Sequence, residues 1–451
     1  MTAMTDGLPL AQRRWAMLTL TLAISVSVLG SSVANIALPT IARDLGVTPA
    51  ASVWVVNAFQ VAVMVALLPC SSLGDIYGYR RVYGIGLVVF TIGSLACALA
   101  HTLPLMIIAR IVQGLGGAGL MSVNTALVRY IFPRAQLGRG MGFNTLIVAC
   151  SSALGPSVAA AILSVGSWPW LFAINVPVGL AALALLGKLP LTPRAPHRFD
   201  WPSAFLNAAF FGLVVGTLDS IGHGSGLIPV LEFLALLAVG VVFVRRMLTI
   251  SAPMLPVDLF RRPVFALSVA TSVASFIAQS SAYVAIPFLM QSVGGLSEAS
   301  TGLLMTPWPA TIALMAPLAG RLSDRFSAGQ MGGVGLALMT IGMLLVGFLP
   351  AHAAWWDVAW RMAICGAGFA LFQTPNNRLL ISSVPRERSG AGSGMLSTAR
   401  LLGQAMGAAM VAICFSLTDA SGVAVGAAAA VFTGAAFAGF ATVLSCLRLG
   451  R

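Results

Sequence analysis

The sequence predicts an all-α polytopic membrane protein, built from two parallel six-helix repeats with two extra helices inserted between them. Its 451 residues are 58% hydrophobic and only 8% charged, with a mean hydropathy of +0.95, which lies outside the range of soluble globular domains. Apolar runs long enough to cross a hydrocarbon core of roughly 30 Å as helices recur along the whole chain. A second observation, an internal repeat, divides these runs into two related sets.

The apolar runs number fourteen when charged residues, glycine and proline are taken as their boundaries. They lie at 15–38, 52–73, 82–100, 104–128, 141–164, 169–187, 203–219, 227–244, 265–289, 301–319, 330–349, 355–380, 392–416 and 424–446. The first run is longer than the apolar core of a signal peptide, so we interpret it as a retained span. The sequence therefore predicts fourteen transmembrane helices.

The basic residues predict the orientation of these helices. Twenty lysine and arginine residues fall on one set of alternate loops, whereas the opposite loops carry only Arg43. By the positive-inside rule, the protein is expected to span the inner (cytoplasmic) membrane with both termini in the cytoplasm. This distribution also accounts for the net charge of +13 without nucleic acid, because the basic residues are spread in ones and twos rather than clustered.

Corresponding residues recur at a nearly constant separation, which identifies the repeat. Asp75 and Asp324 are 249 positions apart, and Arg110 and Arg361 are 251 apart. A separation of 252 relates Asn124 to Asn376, Pro133 to Pro385, and Gly138, Gly140 and Gly142 to Gly390, Gly392 and Gly394. Spans one to six thus match spans nine to fourteen, which predicts a six-helix bundle over 1–188, an inserted two-helix hairpin over 189–264 and a second bundle over 265–451.

Several short motifs resemble those of the major facilitator superfamily, and specifically its fourteen-span drug:proton antiporter branch. The loop signature of that superfamily is matched by Leu73, Gly74, Asp75, Gly78 and Arg80, with departures at Ser71, Ile76 and Tyr79. Its second copy keeps Gly320 and Arg325. Further similarities are Arg110 with Gln113-Gly114 in the fourth span, Ser151, Gly155, Pro156, Ala159 and Ala160 in the fifth, Trp168 to Gly179 after it, and Val33 to Pro39 in the first.

One departure concerns coupling. The branch usually carries an aspartate a few residues before the end of the first span, where this chain has Leu29-Gly30-Ser31-Ser32. The proton site that the resemblance implies is therefore absent from the first span. If protons are coupled, we hypothesise that Asp75 or Glu232 carries them, with Arg110 tuning the site. Arg110, in the outer third of its span, and Arg400, about ten residues into its span, lie where a charge usually faces the bundle interior or water, and we interpret them as coupling or anion-recognising groups. The alternative for both is a structural hydrogen-bond donor.

The loop motif supplies a candidate conformational switch for alternating access. Its members are Gly74, Asp75, Gly78, Arg80 and Arg81, with Asp324 and Arg325 in the second copy. The glycines allow helix ends to approach closely, and Asp75 can cap a neighbouring helix and pair with arginines. The alternative is a loop that only sets topology.

Two further groups of residues are interpreted as packing and pocket elements. Ser151, Gly155 and Ala159 recur every four residues on one helix face, which permits close helix packing, and Pro156 adds a kink. Trp308, between two prolines, favours a locally broken helix that lines a cavity. The substrate-pocket candidates are Asn35, Phe59, Gln60, Gln113, Asn144, Gln279, Tyr283, Trp308, Phe372 and Gln373.

The expected function is export of amphiphilic small molecules from the cytoplasm by a monomeric secondary active transporter in the lipid bilayer, using proton influx. A proton-independent facilitator or importer of a metabolite is the alternative. An intramembrane transferase would need paired carboxylates for metal or acid/base chemistry, and the twelve acids are scattered. No cofactor, metal ion or nucleic acid is expected, and a non-transporting sensor would lack a signalling domain.

Overall fold

The computed structural model describes residues 7–133, 136–194, 199–223, 227–250, 255, 257–292, 294–323, 325–350, 353–383 and 389–448. Over these residues the regular structure is helical, and no strand is present. The chain is therefore all-α, as the hydropathy pattern predicts.

The described residues form seventeen α-helices. Residues 1–188 form α1 (Leu10–Asp44), α2 (Pro49–Ser52), α3 (Trp54–Tyr77), α4 (Tyr79–Ala98), α5 (Leu103–Ile131), α6 (Leu137–Val165), α7 (Pro169–Ala173) and α8 (Asn175–Ala184). The inserted segment forms α9 (Trp201–His223) and α10 (Leu227–Thr249). Residues 265–451 and the two preceding them form α11 (Pro263–Ser292), α12 (Glu298–Met305), α13 (Pro307–Leu322), α14 (Ala328–Gly347), α15 (Trp355–Ser382), α16 (Ser389–Leu417) and α17 (Val423–Cys446).

The length and composition of these helices support eleven or twelve membrane crossings within the described residues. Eleven helices are long and apolar enough, and α1 adds a twelfth if its two segments, Leu10–Gly30 and Val33–Asp44, bent by 40°, form one span. The sixth predicted span, 169–187, corresponds to a shorter apolar helical segment, Pro169–Ala184, in which α7 and α8 meet at Ile174 with helical dihedral angles. The predicted span 355–380 corresponds to α15, which carries the charged residues Asp357 and Arg361 and is not among the eleven. The count of fourteen stays a prediction.

Glycines bring neighbouring helices into backbone contact in two corresponding places. A Cβ atom on Gly86 of α4 would lie 2.9 Å from the carbonyl oxygen of Gly116 in α5. A Cβ on Gly335 of α14 would lie 2.6 Å from the carbonyl oxygen of Gly368 in α15. Only glycine allows such close approach. Gly335 follows Gly86 by 249 positions, and Gly368 follows Gly116 by 252. The contacts support the predicted repeat, whereas the domain boundaries remain predictions.

The helices of residues 1–188 meet those of residues 265–451 along a seam. Across it, α1 packs against α11, α6 against α12 and α13, and α3 against α16. The inserted helix α9 packs on both α3 and α16. It is tied to α3 by hydrogen bonds from Asn207 Nδ2 to the Val65 carbonyl (2.8 Å) and from Trp54 Nε1 to Asp219 Oδ1 (2.9 Å). Its hairpin partner α10 is largely exposed and apolar, as expected of a helix that faces lipid.

A buried arginine just beyond α17 holds the last helix in place. Arg448 donates to Asn376 Oδ1 (2.6 Å), Ser268 Oγ (3.2 Å) and Ser445 Oγ (2.7 Å). Burial lowers the pKa of Arg448 to about 10, because the charged guanidinium loses its hydration. These hydrogen bonds join α11, α15 and α17 at one end of the molecule.

Candidate functional site

A small cavity lies at the seam, between α1, α6, α11 and the α12–α13 pair. It is lined by Asn35, Ile36, Ser152, Pro156, Tyr283, Met305 and Pro309. Its volume of about 30 Å³ is close to that of one water molecule. Asn35 and Tyr283, two predicted pocket residues from opposite sides of the seam, therefore share one cavity.

The small-residue positions of α6 explain how this cavity is enclosed. Gly302 of α12 is so close to α6 that a Cβ there would lie 2.8 Å from the Pro156 carbonyl oxygen and 3.0 Å from the Ala160 side chain. Ser157 and Thr306 hydroxyls are hydrogen-bonded at 2.9 Å across the same contact. On the other face of α6, Ser151 Oγ donates to Ser25 Oγ of α1 (2.9 Å). Gly155 and Ala159 are buried in this packing.

The wall on the opposite side comes from α12 and α13. The helical hydrogen-bond pattern is interrupted at Thr306, beside the prolines that flank Trp308, but Thr306 keeps helical dihedral angles and Glu298–Leu322 continues as one span. Trp308 is fully buried, with its ring 5.2 Å from that of Tyr283. Trp308 Nε1 and Asn35 Oδ1 have no hydrogen-bond partner. A donor and an acceptor thus stand unpaired around an aromatic wall, as in many small-molecule sites.

One end of the seam is closed by polar contacts between the two sides. Gln291 Nε2 of α11 donates to the Ile36 carbonyl of α1 (3.1 Å). Nearby, the Thr40 hydroxyl donates to the Glu298 carboxylate, and Arg43 Nη2 lies 3.9 Å from Glu298 Oε1. We refer to Ile36, Thr40, Gln291 and Glu298 as the end seal.

Arg110 lies within the helices of residues 1–188 and is fully buried. Its Nε donates to the Val55 carbonyl (2.7 Å), and its Nη1 donates to the Gly30 carbonyl (3.2 Å) and to Gln113 Oε1 (2.5 Å). Its guanidinium carbon is 4.4 Å from the Phe59 ring centre and 5.6 Å from that of Phe172. The predicted residues Phe59 and Gln113 therefore surround Arg110, and neither lines the seam cavity.

The repeat-related arginine has a different environment. Arg361 forms two hydrogen bonds with the Asp357 carboxylate, Nε to Oδ1 at 3.0 Å and Nη2 to Oδ2 at 2.8 Å. Within the described part of the chain, no carboxylate pairs with Arg110. The two arginines thus occupy matching positions, but only Arg361 has a counterion.

The loop motif is folded against the segment that follows α8. The Tyr79 hydroxyl donates to Asp75 Oδ1 (2.5 Å), and the Tyr79 amide donates to Thr192 Oγ1 (3.0 Å). Arg80 reaches the Leu189 carbonyl (3.4 Å), while Arg81 is exposed. Gly78 has a φ of 93°, a conformation that favours glycine. The described residues therefore give Asp75 a tyrosine partner, whereas its pairing with arginine stays a prediction.

The remaining predicted site residues are scattered. Arg325 is exposed, and Asp324 lies outside the described residues. Glu232 is half-buried on α10 with one carboxylate oxygen unpartnered, and Arg400 is half-buried on α16. Asn144 accepts from Asn124 Nδ2 (2.7 Å), so that residue serves packing between α5 and α6. Phe372 packs in the core beside Phe369 and α14, while Gln60 and Gln279 are buried and Gln373 is half-buried.

A sequence model of the family described as Major Facilitator Superfamily matches residues 20–408. The chain belongs to the major facilitator superfamily. Its fold agrees with this membership. The crystal structure of a bacterial homologue of the human lysosomal transporter Spinster, inward-facing and unoccupied, superposes with a TM-score of 0.71 at 15% identity, covering 98% of this chain and 97% of that one.

Several relatives of this superfamily member are described as transporters. It is 54% identical over 412 residues to the uncharacterized transporter YebQ of Escherichia coli K12, which covers 90% of both chains. It is 29% identical to the riboflavin transporter RibZ of Clostridioides difficile, over 90% of this chain and 89% of that one. It is 32% identical to the multidrug resistance protein Stp of Mycobacterium tuberculosis, over 85% and 72%. The chain is thus a multi-pass membrane transporter.

Three residues of the site were not among the candidates predicted from the sequence. Glu298 and Gln291 of the end seal carry no motif, and their partners lie 258 and 255 positions away. Asn175, at the start of α8, is 2% exposed with an unpartnered Nδ2. The one available signal was its position in the stretch from Trp168 to Gly179, which resembles the superfamily branch as a whole.

Proposed function

We propose that this chain is a secondary active exporter of amphiphilic small molecules, driven by proton influx and working by alternating access. The observation that carries the proposal is the cavity shared by Asn35 and Tyr283, which lies at the seam and has the end seal beyond it. An inner-membrane location with both termini in the cytoplasm, and a monomeric state, belong to the same proposal.

The contacts around the cavity suit such a cycle. The end seal consists of a hydrogen bond from Gln291 to a backbone carbonyl and one from the Thr40 hydroxyl to the Glu298 carboxylate, which water can replace when the two sides separate. The cavity wall combines aromatic and apolar groups with an unpaired acceptor, Asn35 Oδ1. Such a wall can bind the apolar body of an amphiphile while the polar groups orient it. The name of Stp, a multidrug resistance protein, supports the export direction.

The experiment that tests the proposal uses purified protein in liposomes and a panel of cationic, neutral and anionic fluorescent amphiphiles. We expect accumulation of part of the panel only when a pH gradient is imposed, and its loss when the gradient is collapsed by an ionophore. Transport that is equal with and without the gradient would contradict proton coupling. No transport of any dye would contradict the exporter itself.

Two variants locate the proton site. If Asp75 or Glu232 carries the proton, Asp75→Asn or Glu232→Gln abolishes gradient-driven accumulation while downhill exchange of dye continues. Asp419→Asn is the comparison variant, because Asp419 is an exposed acid on the short 3-10 helix between α16 and α17 and is not a proton-site candidate. Full coupling in both variants would remove both candidates.

A second function, a proton-independent facilitator or importer of a metabolite, has its own support. The residues that line the seam cavity include no ionisable carboxylate, and RibZ, a relative, is described as a riboflavin transporter. Under this alternative, riboflavin or another neutral metabolite equilibrates across the liposome membrane at a rate that the pH gradient does not change. The gradient dependence of the first experiment therefore separates the two functions.

A further inference from the structure

The space beside Gly30 is faced by hydrogen-bond donors. Gly30 lies at the bend of α1, where the segments Leu10–Gly30 and Val33–Asp44 meet at 40°. A Cβ atom on Gly30 would lie 3.6 Å from Asn175 Nδ2 and 3.6 Å from Gln113 Nε2, and 3.3 Å from the edge of the Phe90 ring. Arg110 Nη1 lies 3.2 Å from the Gly30 carbonyl oxygen. Three nitrogen donors therefore surround a position that carries no side chain.

Two of these residues have donors to spare. Arg110 Nη2 and Asn175 Nδ2 are buried and have no hydrogen-bond partner. Arg110 is 0% exposed and Asn175 is 2% exposed, so bulk water does not satisfy them. A buried donor without an acceptor is unfavourable, and a buried cation without a counterion is more so.

Arg361 shows what this site lacks. That arginine, 251 positions later, has a carboxylate partner one helical turn earlier, Asp357. The residue one turn before Arg110 is Met106, which is apolar and fully buried. The rings of Phe59 and Phe172 offset part of the charge through cation–π contacts, but they offer no acceptor to Arg110 Nη2.

We propose that Arg110 and Asn175 form a receptor for a carboxylate or similar monoanionic group, which binds beside Gly30 when the Phe90 ring, 3.3 Å from the position of an added Cβ, moves aside. This inference rests on the proposed function, since it takes the anion to be part of an exported substrate. A monoanion suits the site because a single guanidinium supplies the charge and its free Nη2, together with an amide N–H, supplies directed hydrogen bonds.

The seam cavity marks where the rest of such a molecule would lie. Its volume of about 30 Å³ holds about one water molecule, so the two sides of the seam must separate before an aromatic group can enter. Asn35, which lines that cavity, follows Gly30 by five residues, a rise of about 7.5 Å along a helix. An aromatic body against Tyr283 and a carboxylate beside Gly30 therefore require a short flexible linker between them. The substrate class is an aromatic or apolar monocarboxylate with a linker of a few carbon atoms.

The test measures binding of 1-pyrenebutyrate and of its uncharged methyl ester to purified protein, by fluorescence titration. We expect the acid to bind at least tenfold more tightly than the ester, the size of effect expected from a charge-assisted hydrogen bond. Equal affinity for acid and ester would overturn the proposal. Competition by sodium acetate or chloride distinguishes the source: a free anion as the natural occupant displaces the acid at millimolar concentration, whereas a substrate-borne carboxylate resists displacement.

Two substitutions at one position isolate the charge. Gly30→Asp supplies an internal carboxylate to the same donors, so we expect the preference for the acid to disappear. Gly30→Asn has nearly the same volume and no charge, so we expect a preference for the acid to survive. The nearest contact of the added Cβ is the far end of the buried Phe90 ring at 3.3 Å, which must shift by a few tenths of an ångström in both variants alike. Identical behaviour of the two variants would contradict the site.

A third variant protects the test from a folding failure at position 30. Asn175→Leu removes one donor, and we expect it to weaken binding of the acid while binding of the ester is unchanged. An unchanged acid affinity would count against the site. Because the readout is binding, failure here is distinguishable from failure of the transport experiment, which uses the wild-type chain and a pH gradient.

Discussion

The Asp357 carboxylate accepts two hydrogen bonds from one edge of the Arg361 guanidinium, from Nε at 3.0 Å and from Nη2 at 2.8 Å, and the two residues are one helical turn apart. The side chains are 13% and 16% exposed, so this ion pair is neither fully buried nor solvent-screened. Removal of the carboxylate leaves a mostly buried cation with only the Leu345 carbonyl as a partner among the described residues.

We expect Asp357→Asn to lower the free energy of unfolding by about 2 kcal/mol, between the values typical of surface and of buried pairs. Thermal unfolding of the purified protein in detergent measures this loss. Asp419→Asn is the control, since Asp419 is exposed. Equal melting temperatures for the two variants would show that the ion pair adds nothing to stability.

The glycine contact between α4 and α5 gives a steric prediction. A Cβ on Gly116 would lie 2.2 Å from the Phe90 amide nitrogen, a backbone atom that cannot move aside. We expect Gly116→Ala to separate the helices and cost about 2 kcal/mol or more. Gly212→Ala on α9 meets nothing within 4 Å and should be neutral or slightly stabilising, because alanine favours helix. Size-exclusion profiles and melting temperatures compare the two; a Gly116→Ala variant as stable as the wild type would contradict the contact.

The end seal predicts a conformational effect of Glu298. Glu298→Gln removes the charge that attracts Arg43 and weakens the bond from Thr40, so we expect the sealed end to open more often. Double electron–electron resonance between spin labels on Thr48 and Ser292, which are exposed and have no positive φ, measures the separation there. The expected result is a larger population of long distances, and an unchanged distribution would exclude Glu298 from the seal. Glu298→Asp, which keeps the charge, is the control.

Asp200 at the start of α9 gives a pH prediction for the inserted hairpin. Although partial burial opposes it, hydrogen bonds from Ser203 and Arg246 hold the pKa of Asp200 below its usual value. The unfolded pKa is about 3.9. The stabilisation from Asp200 is therefore present in full above that pH and is lost as the pH falls through the lower folded value.

Asp200→Asn should remove this contribution, about 0.5 kcal/mol for a pair with 36% and 30% exposed side chains, at neutral pH but not at low pH. Melting temperatures of wild type and variant at pH 7 and at a pH near 3 measure the difference. A gap between them that is as large at the acidic pH would show that the carboxylate charge is not its cause.

The sequence predicted features that depend on local composition. Apolar runs gave the helices, and the prolines around Trp308 gave the interruption of the helical hydrogen-bond pattern at Thr306. The depth of Arg110 in its run predicted a buried charge that requires partners, and Gln113, three residues away, is one of them. These inferences succeed because helix formation and burial of long apolar runs depend on nearby residues.

Contacts between distant segments were not predictable in the same way. The bond between Thr40 and Glu298 joins residues 258 positions apart, and neither side chain is unusual for its loop. Asp75 was expected to pair with arginine, which stays a prediction, whereas its hydrogen bond from the Tyr79 hydroxyl of the adjacent helix was not anticipated. Phe372 is an aromatic residue within a predicted span and was therefore a pocket candidate. Its ring packs beside that of Phe369 on the same helix. Helix rotation and loop pairing decide these cases, and a single sequence records them weakly.

The position of α9 has a mechanical consequence. This helix touches α3 from one side of the seam and α16 from the other, and its hydrogen bonds at Val65 and Trp54 both go to α3. If the two sides rock against each other, α9 cannot keep both neighbours. The directional hydrogen bonds to α3 favour movement of α9 together with α3. The contact between α9 and α16 is then the one that slides, and the hairpin stays attached to one side of the seam.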